Sequence, residues 1–155
     1  ANVLNELCAD YTTLTTSSGS LSDGSGASAY ANQMFCVWII DPASSSSVQL
    51  TFTAFETEAG FDIVRLFDCD GPGNCDALAV LSGNEGSGQT YVANKGQMRV
   101  EFSTDASTTN AGFAAAWTSE DCSDCTQDCG AGEYLQTGCG CRCVVCSSTC
   151  PGGQY

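Results

Sequence analysis

The sequence predicts an all-β sandwich followed by a small disulfide-rich, loop-dominated region, and three observations carry that reading. Apolar and polar residues alternate with period two through much of residues 35–118, the pattern of strands with one buried face. Clusters of Asp, Asn, Gly, Pro and Ser interrupt the alternation at short intervals, which is the rhythm of an antiparallel sandwich. Eight of the twelve cysteines lie from Cys122 onward. Two differently stabilised units therefore meet near residues 119–121, giving a sandwich domain over 1–119 and a cysteine-rich region over 120–155.

Taken in order, residues 12–29 are mostly Thr, Ser, Gly and Ala and read as loop with one short strand around Leu21. Asp41-Pro42 and the serines up to Ser47 form a turn cluster. Val48, Leu50 and Phe52 then alternate with Gln49, Thr51 and Thr53, a half-buried strand. Asp70-Gly71-Pro72-Gly73, Asn84-Glu85-Gly86 and Asn94-Lys95-Gly96 mark further turns. Met98, Val100 and Phe102 alternate with Arg99 and Glu101, and Phe113, Ala115 and Trp117 continue the habit. No segment has the periodicity of an amphipathic helix.

The tail repeats itself. Cys122, Cys125, Cys129, Gly132 and Tyr134 recur 21 residues later as Cys143, Cys146, Cys150, Gly153 and Tyr155, a C-x2-C-x3-C-x2-G-x-Y phrase spoken twice. Its large apolar side chains are essentially Tyr134, Leu135, Val144, Val145 and Tyr155, too few to bury a core, so cross-links must do that work. Cys139 and Cys141 complete the eight tail cysteines, whose pairing has about 105 possibilities and stays open. Disulfides on this scale need an oxidising compartment, which places the chain outside the cell, secreted or at the cell surface. A cytosolic zinc ribbon is the weaker alternative, because such sites use few spare thiols or add histidine. The second copy closes on Tyr155, which points to further copies beyond it.

Composition excludes several functions. The net charge of −14, with Arg65, Lys95, Arg99 and Arg142 as the only bases, repels phosphate backbones and anionic lipid heads, so no nucleic acid and no membrane insertion are expected. No apolar run approaches the roughly 18 residues that span a bilayer. With no histidine in the sequence, Ser-His-Asp and Cys-His nucleophiles, H-E-x-x-H zinc motifs and imidazole bases are all ruled out. The chain is not expected to be an enzyme.

Several phrases stand in a recognisable order: Gly19-Ser-Leu-Ser, Tyr30-Ala-Asn-Gln-Met-Phe-Cys36-Val-Trp38, Asp41-Pro42, Val48 to Phe55, Phe61-Asp62-Ile-Val, Phe102-Ser-Thr-Asp105 and Gly112-Phe113 to Trp117. Together they resemble a CUB domain over about residues 8–119. The resemblance implies a jelly-roll β-sandwich and a first disulfide between Cys8 and Cys36, which would contribute about 3–4 kcal/mol on the chain-entropy model. The family's second disulfide has no counterpart, since its positions read Gly60 and Leu81-Ser82-Gly83. Cys69 and Cys75 are paired by exclusion, as a clasp across Asp70-Gly-Pro-Gly-Asn.

The same resemblance implies a calcium site. Glu58, Asp62 and Asp105 match the family's three acidic ligands, and oxygen donors from separate loops suit a hard cation that takes six to eight oxygens. In calcium-binding CUB domains these acids also engage a basic side chain of a partner, so Glu58, Asp62 and Asp105 are partner-binding candidates too. If the partner is another copy of the chain, Lys95 on its turn is the candidate base. Asp68, Asp70, Asn74 and Asp76 begin like an EF-hand loop but lack its spacing and terminal glutamate, and read as a solvated turn.

The tail resembles ephrin-receptor-like and TNF-receptor-like cysteine-rich repeats, where a phrase like Cys150-Pro-Gly-Gly-Gln-Tyr155 opens a unit. Such repeats stack into semi-rigid rods. The functional expectation is an extracellular structural and interaction protein: a calcium-braced head on a disulfide-stapled stalk, self-assembling into a filament or coat. A soluble module recognising a different protein or glycan, and an accessory region of a larger secreted protease, are the rivals.

Overall fold

The computed structural model describes residues 11–43, 45–121, 133–136 and 142–145, the last two by backbone alone. Nine strands build the head: β1 (Thr12–Leu14), β2 (Ser18–Ser22), β3 (Phe35–Ile40), β4 (Ser45–Glu56), β5 (Ile63–Cys69), β6 (Cys75–Leu81), β7 (Thr90–Ala93), β8 (Gln97–Ser103) and β9 (Gly112–Asp121). They form a five-stranded sheet in the order β1-β3-β8-β5-β6 and a four-stranded sheet in the order β2-β9-β4-β7. Every pairing in the head is antiparallel except β1 with β3. The segment before Leu21 was expected to be loop; β1 forms there because Thr12 to Leu14 finds register with Trp38 to Ile40, a pairing partner that local sequence does not announce.

The alternating residues face inward as their period demands. Val48, Leu50 and Phe52 on β4, Met98, Val100 and Phe102 on β8, and Phe113, Ala115 and Trp117 on β9 are all buried in one cluster. Phe113 is its aromatic hub, edge-on to Trp38, Phe52 and Phe102 and stacked on Phe55. Offset and edge-on pairs of this kind add about 0.5–1.5 kcal/mol each beyond area burial. Gly19, opposite Trp117 on β2, has no side chain for a physical reason: a Cβ there would lie 2.2 Å from the indole ring.

Cys69 and Cys75 are joined, with a Cα–Cα separation of 4.1 Å, and close the β5–β6 hairpin at directly opposed positions. Cys36 is buried and disulfide-bonded; its expected pairing with Cys8 lies outside the described residues. Where the family's second cross-link is missing, hydrogen bonds join the same segments. The Gly60 N–H donates to Ser82 Oγ at 3.1 Å and the Thr57 N–H to the Gly83 carbonyl at 2.8 Å.

In the tail, β10 (Glu133–Gln136) and β11 (Arg142–Val145) pair antiparallel. A strand pair thus sits in a region expected to be dominated by loops. The disulfides expected of Cys122, Cys125, Cys129, Cys139, Cys141, Cys143, Cys146 and Cys150, and both halves of the repeated phrase as a unit, lie outside the described residues.

Candidate metal centre

Three acids meet at one end of the sandwich. Oxygens of Glu58, Asp62 and Asp105 all lie within 4.8 Å of one another. Glu58 and Asp62 belong to the turn between β4 and β5, and Asp105 to the loop after β8. Only three residues lie between Glu58 and Asp62, and a tight turn brings their carboxylates together. The Phe61 and Asp62 N–H groups both donate to the Glu58 carbonyl, at 3.3 and 3.1 Å, and Gly60 supplies the left-handed conformation, φ 82°, that this reversal requires. Thr57 locks the turn from within, its hydroxyl donating to the Asp62 carbonyl at 2.9 Å.

Asp62 is the anchor and is fully buried. Its Oδ1 accepts the Asp105 N–H at 2.9 Å and its Oδ2 the Tyr30 hydroxyl at 2.5 Å. The same Tyr30 oxygen accepts the Glu58 N–H at 2.9 Å. One phenol thus ties the Asp62 carboxylate to the Glu58 backbone. Burial, and then the hydrogen bond to Asp62, push the Tyr30 hydroxyl up to about 12, so it keeps its proton and its donor role across the physiological range. Sequence reasoning placed Tyr30 in a family phrase but gave it no part in the site; its signal is a tyrosine next to a buried carboxylate, a proximity that needs the fold.

The site is organised around negative charge that its own hydrogen bonds leave uncompensated. Asp105 Oδ1 accepts the Ser107 N–H at 2.8 Å, but Glu58 Oε2 is buried with no hydrogen-bond partner. A buried carboxylate oxygen without a partner costs several kcal/mol unless something external satisfies it. Two non-glycine residues with positive φ flank the cluster: Gln33 (58°), whose N–H donates to the Asp105 carbonyl at 2.7 Å, and Thr108 (61°). Such conformations cost about 1–3 kcal/mol and persist where surrounding structure enforces them. The donor set is oxygen throughout, which fits a hard divalent cation and not a thiol- or imidazole-seeking one.

The remaining sequence candidates fall elsewhere. Lys95 and Asp105 lie beyond opposite ends of β8, so the fold does not bring Lys95 to the Glu58, Asp62 and Asp105 carboxylates of its own chain. Nor does its ammonium project freely: it pairs with Asp76 Oδ2 at 2.8 Å, while the Lys95 backbone N–H donates to Asp68 Oδ1 at 2.9 Å. Asp68 also accepts the Asn94 N–H, and Asp70 accepts the Asn74 amide at 2.7 Å. The acids around the Cys69–Cys75 clasp therefore serve as turn caps and ion-pair partners, in keeping with the reading of that loop as a turn.

The fold and site define a class: an all-β jelly-roll-like sandwich with three acids converging at one end. The CUB domain family model matches residues 8–117, and the chain belongs to that family. It is 33% identical over 113 residues to embryonic protein UVS.2 of Xenopus laevis, covering 68% of this chain and 21% of that protein. Among solved structures, the full extracellular region of zebrafish Gpr126/Adgrg6 superposes with a TM-score of 0.62 at 25% identity, over 71% of this chain and 14% of that one. The MASP-1 CUB2 domain bound to Ca2+ superposes with a TM-score of 0.57 at 18% identity, over 69% of this chain and 96% of that one. The chain spans no more than 21% of the length of the first curated relatives it matches.

Proposed function

We propose that this chain is an extracellular interaction protein whose head binds calcium through Glu58, Asp62 and Asp105 and uses the braced acidic edge to dock a protein partner that presents a basic side chain. The observation that carries the reading is the convergence of three carboxylates from two loops with Glu58 Oε2 buried and unpartnered. A calcium ion supplies the missing charge compensation there, and its own shell retains positions for water and a partner's oxygen. The MASP-1 CUB2 domain, similar in fold, is described with Ca2+ bound.

Extracellular modules hold calcium at about 0.1–1 mM, so the ion is an organiser in this reading. It keeps three like charges in one place, and the edge they form attracts a lysine or arginine from outside. Disulfide bonding at Cys36 and between Cys69 and Cys75 is in keeping with an oxidising compartment. The cysteine-rich tail is a stalk in this proposal, and assembly of copies into a filament or coat is its most specific form.

Calorimetric titration of the 155-residue chain with CaCl2 tests the site. Saturable heat that disappears in Asp62→Ala and Asp105→Ala is the expected result; titration of both variants like the parent would sink the assignment.

A further inference from the structure

Phe52 and Phe55 are both buried in the core although two residues, not one, stand between them. Strand β4 accommodates this with a bulge, a register shift against β9 between Phe52 and Ala54, which leaves Thr53 and Ala54 exposed side by side. A bulge bends its strand and re-aims its side chains. Here it opens a cleft of about 610 Å³ whose sheet side is made of the small residues Thr53, Ala54 and Ala114. Because β2 and β7 flank the β9–β4 pair, the segment after β2 borders the cleft on one side and Ser87, before β7, on the other.

Two carboxylates line this cleft, and no base does. Asp23 is 2% exposed; its Oδ1 accepts the Ser25 N–H at 2.7 Å and its Oδ2 the Phe113 N–H at 2.5 Å. Two donors leave about half of a carboxylate's acceptor capacity unfilled, and a carboxylate taken out of water is stabilised most by a cation. Glu56, the last residue of β4, is exposed. The ion pairs among the described residues join Lys95 to Asp76 and Arg99 to Glu101, so neither acid of the cleft has a counter-charge among them.

We infer that this cleft is a docking site for an arginine side chain of a protein partner, separate from the carboxylates of the metal centre. A guanidinium carries five N–H donors in a planar fork that matches a carboxylate, and Ala54 and Ala114 offer its aliphatic stem apolar cover. Other ligands fit less well. An anion is repelled, and two carboxylates are a poor start on the six to eight oxygens that calcium takes. A sugar finds no open ring to stack on, since Phe55 and Phe113 are only 5% and 3% exposed. Glu56 stands two residues before Glu58, so one partner with two basic side chains can reach both places, but the cleft itself needs no calcium.

Nuclear magnetic resonance of the full, 15N-labelled chain in EGTA, titrated with N-acetyl-arginine amide, is the test, and the absence of calcium keeps its outcome independent of the metal reading. The amides of Ser25, Ala54 and Phe113 are expected to shift saturably with a dissociation constant on the order of 1 mM. Glu56→Lys removes one carboxylate and Ala54→Leu fills the floor without touching a charge; each weakens the response at least about 10-fold, while the remaining spectrum shows both variants folded. The inference is overturned if those amides do not move, if both variants respond like the parent, or if N-acetyl-lysine amide or methyl galactoside shifts the same amides as strongly as the arginine probe.

Discussion

The hydroxyl of Tyr30 donates to Asp62 Oδ2 at 2.5 Å while accepting the Glu58 N–H at 2.9 Å, so a buried phenol from the segment before β3 holds together the turn between β4 and β5. It carries no charge to offer a cation. Its role is to orient groups that do.

Tyr30→Phe removes that hydroxyl and little else. The variant leaves the Glu58 N–H and one lone pair of Asp62 without a partner, at a cost of about 1–3 kcal/mol. On the proposed calcium reading, affinity for the ion falls roughly 10-fold or more, as for other outer groups that orient metal ligands. Thermal denaturation with and without calcium, and calorimetry, check both numbers; wild-type values for the variant remove Tyr30 from the site.

With calcium held by Glu58, Asp62 and Asp105 as proposed, the ion stabilises the head by mass action. With a dissociation constant of about 0.1–1 mM, 10 mM CaCl2 adds roughly 1.4–2.7 kcal/mol. Urea denaturation in CaCl2 against EGTA measures it. Magnesium, which demands tighter octahedral geometry, gives a smaller shift, and Asp62→Ala abolishes the calcium increment.

Alkaline pH loosens the same region. The Tyr30 hydroxyl, held at about 12 in the folded chain, returns to an ordinary value near 10 when unfolded. The folded state then binds the proton more tightly, so its contribution to stability is complete below about pH 10 and is lost as pH rises toward 12. Melting temperature followed across that window falls more steeply for the parent than for Tyr30→Phe, and ultraviolet titration shows one phenol ionising last.

Gly112→Ala is disruptive for two separate reasons. The residue has φ 83°, and a Cβ would fall against the Asp23 carboxylate, which is buried and accepts the N–H groups of Phe113 and Ser25. Strain and the broken turn together cost about 2–4 kcal/mol. A chemical denaturation midpoint close to that of the parent would contradict this role.

The alternation of Val48, Leu50 and Phe52, of Met98, Val100 and Phe102, and of Phe113, Ala115 and Trp117 determined which faces of β4, β8 and β9 are buried, because a strand's side chains take opposite sides whatever its neighbours are. The order of the phrases from Gly19 to Trp117 was enough to find the family, and with it Glu58, Asp62 and Asp105, the acids that the fold brings together. Tertiary structure alone decided the rest. β1 exists because β3 offers it a parallel edge, Tyr30 joins the site because a chain segment 32 residues away folds over Asp62, and Lys95 is paired with Asp76. Each of these depends on which remote groups become neighbours, and hydrogen-bond and charge compensation act through space, so no local pattern in the chain encodes them.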